Sequence, residues 1–243
     1  LIAIQAHKGD IDDLDVSPNG KLCISVGHDC GVHIWNTLTG EKLRTLSIPE
    51  KIDDGFRVRS VRFTSLGSIN TIFLATYNQI RLSKKAVSYA ALWAFNHERS
   101  ICRPILTIST LSVSDCGKFF AIGTMDGSVG IYDTHDLKPL YFSHKTHNIF
   151  VTGIDFLPRK TFDFGPLFGD NSRQRCIYPG IASEYRAAII SLSADQTVQF
   201  HSVPYSKPNS LTDFLLKLSF ITLLLYYIIW EIWIFFVGDG LVA

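Results

Sequence analysis

The histidines that stand near cysteines, hydroxyls and carboxylates are the residues of this chain whose types could do chemistry. His28-x-Cys30-x-x-His33 puts three potential metal ligands at close spacing. Zinc sites draw on such side chains. On a turn leading into a strand these side chains diverge, so the reading is a structural turn. His144-x-x-His147 is discounted in the same way, because His147 opens a repeat unit. Arg81, Lys84 and Lys85 form a basic cluster that reads as a solvated loop, with acidic lipid headgroups or a partner as the alternative. There is no Gly-x-Ser-x-Gly, no Walker A motif, no His-Glu-x-x-His and no dinucleotide fingerprint. No residue is assigned to catalysis, to a cofactor or to a metal.

The charge is balanced, with 23 basic and 22 acidic residues and a formal net charge of +1. That balance creates no field for nucleic acid, and no nucleic-acid partner is expected. The five cysteines are Cys23, Cys30, Cys102, Cys116 and Cys176, with no Cys-x-x-Cys pair. An odd, scattered set fits free thiols in a reducing compartment.

The elements that must position the histidines come from internal repetition. From Ala6 to Asn36 the chain reads as one unit. His7 opens it, and Ile11, Leu14 and Val16 alternate along a strand. A Ser17-Pro18-Asn19-Gly20 turn leads to an apolar strand from Leu22 to Val26. Asp29 lies in the next turn, and a third strand carries Trp35. The unit resembles a WD40 repeat. The resemblance implies a side-chain network of His7, Ser25, Asp29 and Trp35 that ties the strands together. Such a buried network is tolerable only when every polar group is satisfied.

Three further units follow. Ser112 to Asp133 repeats the Ser-x-x-Gly-Lys turn, with Asp126 and Tyr132 at the Asp29 and Trp35 positions. It has no opening His, and Ile122 stands where Ser25 was, so its network is broken. Ser60 to Tyr77, closing at Trp93, is a degenerate unit. The last opens at His147, with Ser191 and Asp195 at the first unit's spacing and His201 at the Trp position. Two insertions interrupt the pattern, Gln79 to Tyr89 and Pro158 to Arg186. The second reads as a long loop without structure of its own.

The fold class expected is all-β: a WD40 β-propeller, with about four blades of seven present, followed by one C-terminal transmembrane helix. Four blades leave two free faces, so the N-terminal half of the ring is expected to be missing upstream of Leu1.

Leu218 to Val237 is the span. Its 20 residues hold one charged group, Glu231. As a helix it would extend roughly 30 Å, the thickness of a bilayer core. Lys207 and Lys217 precede it and no Lys or Arg follows. That bias puts the propeller in the cytosol. Trp230 and Trp233 read as lipid-facing and interfacial. Glu231 has two readings, contact with a partner helix or burial tolerated near the span's distal end. The domains expected are 1–205 (propeller), 206–217 (linker), 218–237 (span) and 238–243 (lumenal tail).

Blades followed directly by such a span resemble the endoplasmic-reticulum exchange factors of the prolactin regulatory element-binding protein family. These activate the small GTPase that starts COPII coat assembly. The matching stretches are Ala6 to Leu22, Ser112 to Tyr132, Thr146 to Pro158 and the terminal span. The resemblance implies that the chain belongs to a guanine nucleotide exchange factor with that GTPase as partner. It also implies an endoplasmic reticulum membrane, a single pass and ER-to-Golgi transport. In the family a potassium-holding, glycine-rich loop in an N-terminal blade does the exchange. No such loop occurs here, so no functional residue carries over and the chain alone is expected to be inactive. A non-catalytic WD40 scaffold on the same membrane is the competing class.

Overall fold

The computed structural model describes residues 3–52, 55–66, 72–81, 87–94, 99–162, 177–205 and 211–238. It has two units, Leu1–Pro204 and Tyr205–Ala243. The first is all-β. Its opening blade is an antiparallel sheet of β1 (Ile11–Val16), β2 (Leu22–Gly27), β3 (Val32–Asn36) and β4 (Lys42–Leu46). The second blade is β5 (Phe56–Phe63), β6 (Ile72–Gln79), β7 (Val87–Ala94) and β8 (Arg99–Leu106). The third is β9 (Ile108–Val113), β10 (Phe119–Thr124), β11 (Val129–Asp133) and β12 (Pro139–Ser143). The last sheet has three strands: β13 (Val151–Phe156), β16 (Tyr185–Ser193) and β17 (Val198–Pro204).

Hairpin chemistry sets these strands. Ser17 Oγ bonds both the amide and the carbonyl of Leu22, at 2.9 and 3.1 Å. Ser114 does the same to Phe119, at 3.1 and 3.0 Å. Each turn then needs a left-handed residue, supplied by Gly20 (φ 70°) and Gly117 (φ 68°).

Neighbouring blades pack face to face through apolar layers. Ile24, Val26 and Ile34 meet Val61, Phe73 and Tyr77. Leu74 and Ala90 meet Phe120, Ile122 and Tyr132. Phe119, Ala121 and Ile131 meet Ile154, Ala187 and Ile189. Together these layers hold most of the buried apolar surface, the main stabilising term.

The alternation in β1 marks a strand but not its buried side. Ile11, Leu14 and Val16 are exposed, and the intervening acids face blade two. Asp13 Oδ2 accepts from the Val61 amide at 3.0 Å and from Arg62 at 2.6 Å, and Asp15 Oδ2 accepts from the Phe63 amide at 2.6 Å. Asp12 bonds Arg59 and lies 3.2 Å from His28 Nε2. The reason is that β5 is an edge strand, pairing only with β6. Its outward amides need acceptors, and the carboxylates of β1 provide them.

Both insertions differ from the expectation. Strand pairing continues to Gln79 and resumes at Val87, which shortens the first; Lys84 and Lys85 lie outside the described residues. The second is partly regular: β14 (Lys160–Phe162) pairs with β15 (Ile177–Pro179), and a 3-10 turn covers Ile181–Glu184. Residues 163–176 between them lie outside the described residues.

The second unit contains one helix, α1 (Leu211–Gly238), of 28 residues. Its side chains are described from 215 to 231. Among the described residues no helix is long and apolar enough to cross a membrane. Leu218 and Trp230 are exposed within this unit, and Trp230 stacks on Tyr226 at 6.5 Å. Glu231 is also exposed. The side chains of Trp233 and Val237 lie outside the described residues.

Candidate functional site

In the first blade four side chains form one directed chain of hydrogen bonds. The Trp35 indole N–H donates to Ser25 Oγ at 2.9 Å. Ser25 Oγ lies 2.8 Å from His7 Nε2, and His7 Nδ1 lies 2.9 Å from Asp29 Oδ1. An indole only donates and a carboxylate only accepts. The ends therefore fix the middle: the Ser25 hydroxyl donates to Nε2, and Nδ1–H donates to Asp29. His33 stacks on the His7 ring at 4.6 Å. Asp29 also accepts from the Lys8 and Gly31 amides at 3.1 Å each. Burial alone would raise its carboxyl, but the bonds from His7, Lys8 and Gly31 outweigh it and hold the pKa at about 2.

The last blade has a longer version. Tyr141 Oη lies 3.3 Å from His201 Nδ1, and His201 Nε2 lies 2.9 Å from Ser191 Oγ. Ser191 Oγ lies 2.8 Å from His147 Nε2, and His147 Nδ1 lies 2.7 Å from Thr197 Oγ1. Thr197 donates its hydroxyl to Asp195 Oδ1 at 2.6 Å. Read back from that carboxylate, every proton has a direction, from Tyr141 through to Asp195. Tyr141 and Thr197 escaped the sequence reading.

The middle blades replace this chemistry. In blade three Asp126 accepts from the Thr124 hydroxyl (2.5 Å) and the Ser128 amide (3.2 Å), and Tyr132 stacks on Phe120 at 5.1 Å. In blade two Ala75 holds the position of Ser25, and Trp93 Nε1 donates instead to Tyr77 Oη at 2.9 Å.

Ser25, His7 and Asp29 have the contacts of a hydrolytic triad, which the sequence did not place. The geometry cannot act on a substrate. Ser25 is 5% exposed, and its oxygen already holds the Trp35 N–H. A nucleophile needs its lone pair free and within reach of a substrate. His7, Asp29 and His33 also bring their ligand atoms within 4.8 Å of one another. Both nitrogens of His7 and Nδ1 of His33 are engaged, the latter with Thr45 at 3.1 Å. Potassium is a hard cation that takes oxygen ligands, so this histidine-rich group does not fit it. His28 and Cys30 point to other partners, Asp12 and the His28 carbonyl. His144 packs edge-on against Phe142 at 4.6 Å. The four described cysteines are free.

The relays carry a pH dependence. Burial, reinforced by a neighbouring histidine, holds His33 and His201 below the ordinary imidazole value. The unfolded chain takes up these protons near pH 6.5, about the free imidazole value, and the folded chain only at lower pH. Their contribution is therefore whole above about pH 6.5 and shrinks below it. Asp29 adds a more acidic loss. Its contribution is present above its unfolded value of about 4 and disappears as the pH falls toward the folded value of about 2. Urea midpoints taken from about pH 7.5 down to about pH 4.5 should fall steadily, with the first decline near pH 6.5. A flat profile over that range would contradict the neutral, buried imidazoles.

Comparison with known proteins fits this geometry. The family model for the WD domain, G-beta repeat, matches residues 1–36 and 102–133. The guanine nucleotide-exchange factor SEC12 of Mus musculus is 29% identical over 84% of this chain and 47% of its own length. The chain carries WD40 repeats and is similar to SEC12. It spans about half the length of the curated relatives it matches. The eukaryotic translation initiation factor 3 subunit I of Lodderomyces elongisporus is 27% identical over 72% of the chain and 51% of its own length. Among solved structures, Saccharomyces cerevisiae Sqt1 aligns with a TM-score of 0.52 and 16% identity, over 81% of this chain and 46% of that one. At that identity the likeness concerns the fold alone. Both matched WD segments end on the closing aromatic strands, with Trp35 in the first and Tyr132 in the second.

Proposed function

We propose that this chain is the scaffold part of a membrane-anchored guanine nucleotide exchange factor acting on the small GTPase that initiates COPII budding. The similarity to SEC12, running through 84% of the chain, is the observation that supports it. On this reading the two relays fix the outer blades, and the nucleotide-displacing groups lie outside these residues. No residue here is proposed to hold potassium.

The anchor is the apolar stretch 218–237 within α1, and the propeller faces the cytosol of an endoplasmic reticulum membrane. A helix of 28 residues is roughly 42 Å long, enough to cross with some tilt. Alkaline carbonate should leave the chain in the microsomal pellet, and external protease should remove the blades. Release by carbonate, or blades protected from protease, would overturn the anchor.

A second reading is a non-catalytic WD40 scaffold on that membrane. The similarity to a translation initiation factor subunit, 27% identical over 72% of the chain, is what supports it. The two readings part on GTPase exchange, since only the first requires it.

A further inference from the structure

The last blade joins its first two strands differently from blades one and three. In those blades a tight Ser-x-x-Gly-Lys turn does it, Ser17 to Lys21 and Ser114 to Lys118. In the last blade residues 157–184 stand between β13 and β16. The neck of this insertion is fixed. The Gly180 amide donates to the Arg159 carbonyl at 2.8 Å, and a Cβ on Gly180 would lie 2.2 Å from the Pro158 carbonyl oxygen. The Arg159 guanidinium donates to the carbonyls of Tyr185 and Arg186.

Beside that neck, and bounded by the turn of blade three, lies a cavity of about 380 Å³. Phe119, Phe156, Leu157, Ala182, Ala187 and Ala188 form its apolar walls. The alanines explain the space. By strand register Ala187 and Ala188 stand where blade one has Lys21 and Leu22 and blade three has Lys118 and Phe119. Walls without a neighbour forfeit dispersion contacts, which a ligand can restore. A concave apolar site of this size with a few placed polar groups is the usual form of a small-ligand pocket.

The charged groups set the sign of the ligand. Arg159, Lys160 and Arg186 line the cavity against one carboxylate, the exposed Asp115. Arg159 is engaged at the neck. Arg186 lies over the Phe119 ring at 5.4 Å and 3.7 Å from Asp133. Lys160 is exposed and makes no ion pair among the described residues.

We infer that this cavity binds a long-chain carboxylate, a single acyl chain whose tail lies among Phe119, Phe156 and Leu157 and whose head pairs with Lys160. Walls and charge together select the class. An inorganic anion would leave the apolar walls in water, and a cationic amphiphile would meet three like charges. A neutral amphiphile would leave Lys160 unmatched, and a headgroup bearing several phosphates calls for more uncommitted cations than one. Burial of the tail supplies the affinity, and the charge supplies the orientation. The site lies within the blades and is independent of nucleotide exchange.

The test is photo-crosslinking of the full chain in mild detergent with a palmitate that carries a diazirine in mid-chain. Mass spectrometry locates the label, and any label on α1 serves as the internal control for uptake from the micelle. Label should fall on the segments around 114–119, 156–160 and 182–188. Excess plain palmitate should reduce it by at least about tenfold, and the same excess of hexadecanol should reduce it far less. Lys160→Glu should lower cavity labelling by about tenfold with α1 labelling unchanged, and Lys160→Arg should restore it. Leu157→Asp should lower it as well. Lys160 is exposed, so the Lys160→Glu protein should melt like the parent. Cys116, a free and exposed thiol on the wall, gives a second readout: palmitate should slow its alkylation by a maleimide in the parent and not in Lys160→Glu. Labelling confined to α1, equal competition by hexadecanol, or cavity labelling that survives Lys160→Glu would each overturn the site.

Discussion

A chain carrying Ser191→Ala should lose on the order of 2–4 kcal/mol of stability, the largest loss expected from any single hydroxyl in it. Ser191 is fully buried, and its oxygen joins two imidazoles, His147 at 2.8 Å and His201 at 2.9 Å. Alanine leaves the His201 N–H without an acceptor and His147 Nε2 without a donor. Each orphan costs about 1–3 kcal/mol, and the cavity left by one oxygen is too small for a well-bonded water. Thr124→Ala in blade three is the comparison. Thr124 is buried too, but its hydroxyl serves a turn, bonding Asp126 and Ser128. Asp126 keeps the Ser128 amide when that hydroxyl goes. The expected loss there is about 1 kcal/mol. Urea midpoints measured side by side decide it. Equal losses would show that Ser191 does not join the two halves of a relay.

Much of that relay was legible as spacing. Ser191, Asp195 and His201 repeat the intervals of Ser25, Asp29 and Trp35, and intervals are what a hairpin register preserves. Thr197 was not legible, because the first blade has Gly31 at the matching place and so no hydroxyl there. In the last blade that hydroxyl enters between His147 and Asp195, whose own separation is 3.5 Å. Tyr77 was hidden for a similar reason. It stands at the position of Gly27, two residues beyond the expected serine, and only its length brings the oxygen to Trp93.

Other parts depend on neighbours that a single unit does not reveal. The alternation of Ile11, Leu14 and Val16 reads as a strand without saying which side is buried, and the amides of an edge strand in the next blade draw the acids of β1 inward. The cavity beside Lys160 gathers residues from 114 to 188, each unremarkable within its own turn. Composition reads the 218–237 stretch as a span; the structure has a helix from Leu211 to Gly238, and among the described residues no helix is long and apolar enough to cross a membrane.

The second large effect is on nucleotide release. An exchange factor must bind the nucleotide-free GTPase more tightly than the GDP-bound form, since only differential affinity shifts that equilibrium. Every tenfold acceleration of release corresponds to about 1.4 kcal/mol off its barrier. Rigid blades can hold the displacing groups in place, but those groups must reach the phosphate or its metal. The relay residues cannot, because His7, Ser25, His147, Ser191 and His201 are all buried. The measurement is release of fluorescent GDP from a small GTPase responsive to mouse SEC12, on liposomes, with three proteins: this chain, mouse SEC12, and a chimaera that joins the N-terminal half of mouse SEC12 to this chain. The account predicts the intrinsic rate with this chain alone, and acceleration of at least about tenfold with the other two. Acceleration by this chain alone would place the exchange site within it and contradict the proposed scaffold role. Acceleration by mouse SEC12 but not by the chimaera would contradict the proposal that this chain serves an exchange factor.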